Sequence, residues 1–321
     1  MVERRPRKIH STATMITPSL NPLRVDALLD AAREVRRRVR VSATRRKIER
    51  VASILATTGT PDTSRAEAAF ERLQNAYGPR PEYGYDAVSI WGRATSRSLS
   101  LVSLEGMGVP GKKILEVGAG DGILGVALNA FGHCATLVDQ EDWRSEGARG
   151  VEFRVADCCQ SVPFEDRSFD LACSYNSFEH LSDPAVTLQE MIRVVKPGGW
   201  IYIEFNPLYC SPWGLHAYRA FRMPYPQFLF SEDFQAKKLR EIGIWDLGKK
   251  RTKLQFVNCW KPESFERLWV RSGCTIVANR KAIDGSHLGI ISQFPEAFRG
   301  RQLTTEDVTV AGISLVVKKP V

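Results

Sequence analysis

The chain is poor in metal-ligand pairs and free of long apolar runs. Its seven cysteines, at 134, 158, 159, 173, 210, 259 and 274, are odd in number and form no C-x-x-C. That argues against a disulfide framework or a zinc knuckle and predicts a reducing, cytoplasmic compartment. Adjacent Cys158 and Cys159 read as packing beside a strand end rather than as a redox pair. No stretch approaches the roughly 20 apolar residues that cross a bilayer. Met1 to His10 is basic without an apolar core behind it, which does not make a secretory signal. No global charge excess exists outside the N-terminal region. Of 45 basic and 36 acidic residues, 14 and 5 lie in the first 50, leaving 31 of each for the remainder. Contact with nucleic acid or an anionic membrane is therefore expected only through residues 1–50. There is no internal repeat and no G-x-G-x-x-G after a strand, so the dinucleotide fingerprint is absent.

What is present begins with a disordered basic tail, expected over 1–20, and an N-terminal helical extension over 21–84. Val25, Leu28, Leu29, Ala32, Val35 and Val39 form an apolar stripe opposite Arg33, Arg36, Arg37 and Arg40. It is read as a helix packed on its own domain and continuing through Ile48, Val51 and Leu55, with a membrane-surface helix, an RNA-binding arm or a partner helix as the alternatives. Asp62 to Tyr77 predicts a second helix with Ala66, Phe70, Leu73 and Tyr77 on one face. Tyr85 to Leu104 predicts a third. From Lys113 the pattern changes to alternating strands and helices, the mark of a parallel sheet with crossover helices. Strands are expected at 113–117, 135–138, 151–155, 169–174, 200–205, 274–279 and 308–317.

Strand 1 runs into Glu116-x-Gly118-x-Gly120-x-Gly122, and a helical pattern then opens. Such a turn lets a ligand approach the backbone beside the partly positive end of a helix. Strand 2 ends in Asp139, 21 residues after Gly118, where an acid can accept both hydroxyls of a ribose. Strand 3 ends in Ala156-Asp157-Cys158, where an acid can accept the exocyclic amine of adenine. A lone acid at a strand end is usually a cap. Acids at three successive strand ends, in an open α/β sheet whose ligands sit beyond the carboxyl ends, are hard to explain by capping.

This turn resembles motif I of the class I S-adenosylmethionine (SAM) methyltransferases. The stretch Asp157-x-x-x-x-x-Pro163-Phe164 through Ser168-Phe169-Asp170 resembles the small-molecule "type 11"-like families. So do Tyr175-Asn-Ser-Phe-Glu179-His180-Leu181 and Glu190 through Lys196-Pro197-Gly198-Gly199. The likeness covers about residues 90–205. It implies an α/β, Rossmann-like seven-stranded sheet of order 3-2-1-4-5-7-6 with strand 7 antiparallel, in a SAM-dependent methyltransferase domain over 85–321. By that resemblance Glu116, Gly118, Ala119, Gly120 and Gly122 hold the methionine part of SAM. Asp139 with Gln140 takes the ribose, Asp157 with Cys158 the adenine, and Asn176 lies near the methionine moiety.

The activated methyl group leaves the protein little to do beyond alignment, water exclusion and, for an O–H nucleophile, proton removal. A lid and a base are therefore sought. Residues 206–262 are too long for an ordinary connection. Between Phe205 and Trp269 stand 14 of the 30 aromatics, among them Tyr209, Trp213, Tyr218, Phe221, Tyr225, Phe228, Phe230 and Phe234. The segment is expected to be a substrate-covering insertion with an apolar or aromatic pocket. Its alternative is a subdomain that packs its own rings. His180, after strand 4, and His216, early in the insertion, are the catalytic candidates. Glu179, His180 and His216 could supply three metal ligands, and ubiquinone-pathway O-methyltransferases and small-RNA 2′-O-methyltransferases carry a comparable Glu-His. In the RNA enzymes an acid stands where this chain has Asn176, and no metal is assigned. Asn206-Pro-Leu-Tyr209 differs from the N-P-P-Y of amino-methylating nucleic-acid enzymes in position and third residue. The expected activity is transfer of methyl from SAM to a small-molecule acceptor, at oxygen, leaving S-adenosyl-L-homocysteine. An RNA methyltransferase using the basic arm and a catalytically silent SAM-binding scaffold are the alternatives.

Overall fold

A computed structural model describes residues 45–79, 84–246 and 249–321. The expected tail over 1–20 and the stripe from Val25 to Val39 lie outside them. The chain divides into compact units at Lys47/Ile48, and the unit Ile48–Val321 contains everything described below. Its principal helices are α1 (Glu67–Ala76), α2 (Ala87–Val102), α3 (Ile123–Ala130), α4 (Pro184–Val194), α5 (Glu232–Ile242) and α6 (Pro262–Arg271). Its main sheet comprises β1 (Lys113–Val117), β2 (Cys134–Asp139), β3 (Glu152–Val155), β4 (Phe169–Tyr175), β5 (Val195–Phe205), β6 (Thr275–Ile283) and β7 (Val310–Lys318).

The sheet order is β3-β2-β1-β4-β5-β7-β6. β1 to β5 pair in parallel, and β7 runs antiparallel to both β5 and β6. This is the Rossmann-like methyltransferase sheet expected from the sequence. Successive side chains of a strand face opposite sides, so neighbours Ile114 and Leu115 of β1 enter different cores. Ile114 joins Leu101 of α2 and Leu124 and Leu128 of α3. Leu115 joins Leu188 and Met191 of α4 and Phe265 and Trp269 of α6. Both faces are thus covered, as a parallel sheet requires. α2 meets α3 in a small cluster where Ala94 packs with Ile123 and Ala127.

Local chemistry moves several helix starts. The second helix begins at Glu67 rather than Asp62, because Asp62 Oδ1 accepts from the Ser64 amide at 2.9 Å and closes a turn. Ser64 is held there by an isolated bridge to Phe230. The third begins at Ala87, where the Asp86 carboxylate caps the Ser89 amide at 2.9 Å. Three short helices at 288–293, 295–298 and 305–309, between β6 and β7, were not expected from the sequence.

The insertion after β5 takes part in a second core. Phe221, Tyr225, Phe228, Phe230 and Leu239 share one buried cluster with Val51 and Leu55, with Phe70 and Leu73 of α1, and with Ile291, Phe298 and Val308. Three distant stretches of chain therefore close a second core. It crosses the boundaries expected at 84, 206 and 262. Phe70 is its hub, meeting Phe221, Phe230 and Phe234 edge-on at 5.6, 5.8 and 5.5 Å. Phe70→Ala should lower stability by about 3–5 kcal/mol. Urea unfolding checks this, and a loss below about 1 kcal/mol would mean that α1 merely rests on the insertion.

Candidate active site

At the carboxyl ends of β1 to β5 lies a cavity of about 690 Å³. One wall is the glycine turn. Gly118 has φ +72, and a Cβ there would stand 2.2 Å from Ser177 Oγ, so no side chain fits between β1 and the turn after β4. Gly120 donates its amide to Asp139 Oδ2 at 3.0 Å, tying the β1 turn to the end of β2. The other Asp139 oxygen accepts from the Gln140 amide at 2.8 Å. Burial raises the Asp139 carboxyl above its usual range, against these amide donors. Glu116 is buried beneath the turn, with one carboxylate oxygen lacking a hydrogen-bond partner. Desolvation pushes its carboxyl well up, opposed by Arg97 and reinforced by Asp121 and Asp139.

Glu116, Gly118, Ala119, Gly120, Asp139, Gln140, Asp157, Cys158 and Asn176 all line this cavity, as do His180 and His216. Gly122 does not. It is the N-cap of α3 with φ +72, and a Cβ there would press at about 3.0 Å on Ala148 and Arg144. Its role is close packing of helix on sheet. Asp157 caps its own turn, accepting from the Cys159 amide at 2.9 Å and the Gln160 side chain at 3.0 Å. Burial pushes the Cys158 thiol up to about 12, so it stays protonated. Asn176 takes a left-handed φ of +51.

Arg93 and Arg97, one turn apart on α2, enter the same cavity, and the sequence reading missed them. The Arg97 guanidinium lies 4.4 Å over the Tyr175 ring. Arg93 donates to the Gly84 carbonyl and stands 3.8 Å from Asp121. The only sequence signal was their i, i+4 spacing on a helix just upstream of β1.

The two histidines meet on the opposite side, with ring centroids 4.8 Å apart and planes at 70°. His180 Nδ1 lies 2.7 Å from the Phe256 carbonyl, and His216 Nε2 lies 2.8 Å from the Pro207 carbonyl. A carbonyl only accepts, so each of these nitrogens carries the proton in the neutral ring. His180 Nε2 and His216 Nδ1 are then the lone-pair nitrogens. Burial lowers the His216 ring to about 3, with His180 beside it acting in the same sense. Glu179 is 2% exposed, and burial pushes its carboxyl up to about 8. The insertion contributes Tyr218, Arg219, Gln255 and Phe256 to the walls. Among the eight aromatics named from the sequence, Tyr218 alone lines the cavity, and six of the others belong to or pack against the second core. Those six rings pack in the second core, while Tyr218 and Phe256 of the insertion line the cavity.

Residues 115–203 match the family described as "Methyltransferase domain". The chain carries a SAM-dependent methyltransferase domain. It is similar to a ubiquinone biosynthesis O-methyltransferase of Pseudomonas savastanoi pv. phaseolicola, 28% identical over 44% of this chain and 71% of that protein. It is similar also to the protein of that name in Pseudomonas aeruginosa strain LESB58, 29% identical over 37% of this chain and 62% of the relative. A solved SAM-dependent methyltransferase from Methanosarcina mazei aligns with 66% of this chain and 94% of its own, at 19% identity and a TM-score of 0.42. The methyltransferase cofactor fits the residues present. The turn at Gly118 leaves bare backbone, and the unpartnered Glu116 oxygen suits a cationic amine. No described helix is long and apolar enough to cross a membrane.

Glu179 also sets a pH dependence of stability. Its folded-state value lies above the ordinary 4.5, at about 8. The stability it contributes is therefore complete below about 4.5 and lost as pH rises through about 8. Glu179→Gln should melt at a higher temperature than the parent protein at pH 9, with the gap closing toward pH 5. Parallel melting curves across that range would show that the carboxyl is not desolvated.

Proposed function

We propose that the domain methylates a hydroxyl oxygen of a small-molecule acceptor and that His180 is the base. The observation that carries this reading is the far wall of the cavity. There two imidazoles, each fixed by a backbone carbonyl, present lone-pair nitrogens beneath the insertion. A hydroxyl placed against such a nitrogen can lose its proton as its oxygen attacks. The curated relatives are named as O-methyltransferases, in keeping with an oxygen nucleophile.

SAM supplies a methyl group on a sulfonium. Arg97 and Arg93 suit its carboxylate, Glu116 its ammonium, Asp139 its ribose hydroxyls, and Asp157 with the Cys158 backbone its adenine. In the transfer the acceptor O–H bond breaks and its proton goes to His180 Nε2. The oxygen forms the new bond to carbon, and sulfur keeps the electron pair of the broken C–S bond. His216 is too deeply desolvated to hold a proton near neutral pH and serves as a fixed neutral wall. This assigns the two histidines different roles. An RNA acceptor would draw on the basic residues 1–50, and the remainder of the chain is formally neutral.

Three outcomes are expected. Asp139→Ala should weaken SAM binding by about 10–100-fold, the worth of one or two hydrogen bonds to a charged group; unchanged affinity in calorimetry would remove the ribose assignment. His180→Gln should slow methyl transfer by about 10²–10⁴-fold with SAM affinity kept. His216→Gln should cost less, and the reverse ranking would make His216 the base. Methyl-labelled SAM incubated with a host-cell extract should label small, nuclease-resistant molecules, and label confined to a nuclease-sensitive fraction would replace this reading with the RNA one.

A further inference from the structure

The insertion brings charge of one sign to the cavity. Among its described residues there, Arg219 and Arg251 are the charged side chains, and no acid joins them. The acids that line the cavity, Glu116, Asp121, Asp139, Glu141, Asp157 and Glu179, all belong to β1 to β4 or to the turns that follow them. Both arginines are placed by the second core. Ala217 and Ala220 are buried in that core, and between them Tyr218 and Arg219 line the cavity. Gln74 of α1 clamps this bend. Its side-chain amide donates to the Ala220 carbonyl at 3.2 Å, and its Oε1 accepts from the Arg222 amide at 2.9 Å. Arg219 stands three residues after His216, whose ring centroid is 4.8 Å from that of His180. Arg251 ends a two-stranded ribbon, Ile244–Asp246 with Lys249–Arg251, and pairs there with Ile244, which is buried in the same core. Its guanidinium lies 4.8 Å over the Trp143 ring, beyond the end of β2, a contact that limits where this long side chain can go. Arg219 is exposed and Arg251 half-buried. An anion held by them would stay near water and lose little of its hydration.

We propose that Arg219 and Arg251 bind an anionic group of the acceptor, a carboxylate or a phosphate, carried on the same molecule as the hydroxyl that is methylated. The proposal rests on the small-molecule transfer to oxygen described above. In that reading the charged ends of the methyl donor fall to Arg93, Arg97 and Glu116, which leaves the arginines of the insertion for the other reactant. A guanidinium presents a planar fork of N–H donors that matches both anions. The strand ends are rich in carboxyl groups and offer an anion no partner, whereas the insertion does. The acceptor is thereby oriented, with its anionic end under the insertion and its hydroxyl toward the histidines. Fixing the reacting oxygen in this way is the part of the work that alignment can do.

The full chain is incubated with methyl-labelled SAM and host-cell extract, and the label that forms only when the protein is added is fractionated at neutral pH. The labelled small molecules should bind an anion exchanger, because methylation of a hydroxyl leaves the anion in place. Phosphatase then separates the two sources. Label released from the exchanger carries a phosphate ester and label that stays carries a carboxylate, and either supports the proposal. Arg219→Gln and Arg251→Gln should each slow labelling about tenfold or more in dilute extract, the worth of a hydrogen bond to a charged group. The rate should recover as the extract is concentrated, SAM affinity in calorimetry should stay unchanged, and Arg219→Lys and Arg251→Lys should fall between. Small-molecule label that passes the exchanger uncharged overturns the proposal and leaves transfer to oxygen standing. Loss of SAM affinity in both Gln variants, with the dependence on extract unaltered, also overturns it, since the arginines would then serve the cofactor. Label in macromolecules, or no label at all, removes the reading beneath the proposal and the proposal with it. If a variant does not fold, the charge of the product made by the parent protein decides alone.

Discussion

Burial of carboxylates at the carboxyl ends of parallel strands is the constraint on which the rest depends. Glu116 and Glu179 are 3% and 2% exposed, and Asp139 is raised by desolvation. Each would be more stable in water. They persist because backbone geometry fixes them: the Gly118 turn lies against Ser177, Gly120 donates to Asp139, and Asn258 clamps the turn that carries Glu179. A desolvated acid is a strong site for cationic or hydroxyl-bearing ligands, because water no longer competes for it. The same burial that costs stability prepares the cavity for a nucleoside that carries positive charge.

The second hydrophobic core makes that arrangement possible at a distance. The aromatic insertion packs its rings with α1 and with the helices between β6 and β7, and this holds Tyr218, His216 and Phe256 over the strand ends. His216 stands at φ +56, an uncommon conformation for a side chain of that size. It is kept there by its amide bond to Trp213 and its ring bond to Pro207. Backbone strain of this kind survives only where surrounding packing over-determines it. Here the packing comes from segments far away in sequence on either side, Val51 to Leu73 before it and Leu288 to Val308 after it.

Legibility differed by the range of the interaction. The strands, their order and the antiparallel β7 followed from local pattern and from the resemblance of residues 90–205. Nine of the ten proposed cofactor residues lie on the cavity, because a strand end and its turn are contiguous in sequence. Gly122 stands off the cavity, at the start of α3, and a spaced glycine motif does not record which of its members faces the ligand. Arg93 and Arg97 were missed because their helix precedes the motif, and nothing local says that α2 docks over β1. Which aromatics of the insertion pack in the second core and which line the cavity was not legible, because composition cannot tell a ring that faces a ligand from one that faces another ring.

The sequence by itself determined the periodicity, the glycine turn and the acids at successive strand ends, and its family resemblance implied the cofactor. These depend on bonds within a few residues and on the fixed geometry of a parallel sheet. Only the tertiary structure decided that the His216 ring is desolvated, which aromatics pack in the second core, and that the Glu179 carboxyl stands 4.0 Å from His180. Those properties come from desolvation and from contacts between distant segments. Both are set by how the chain packs, and the order of its residues does not record them.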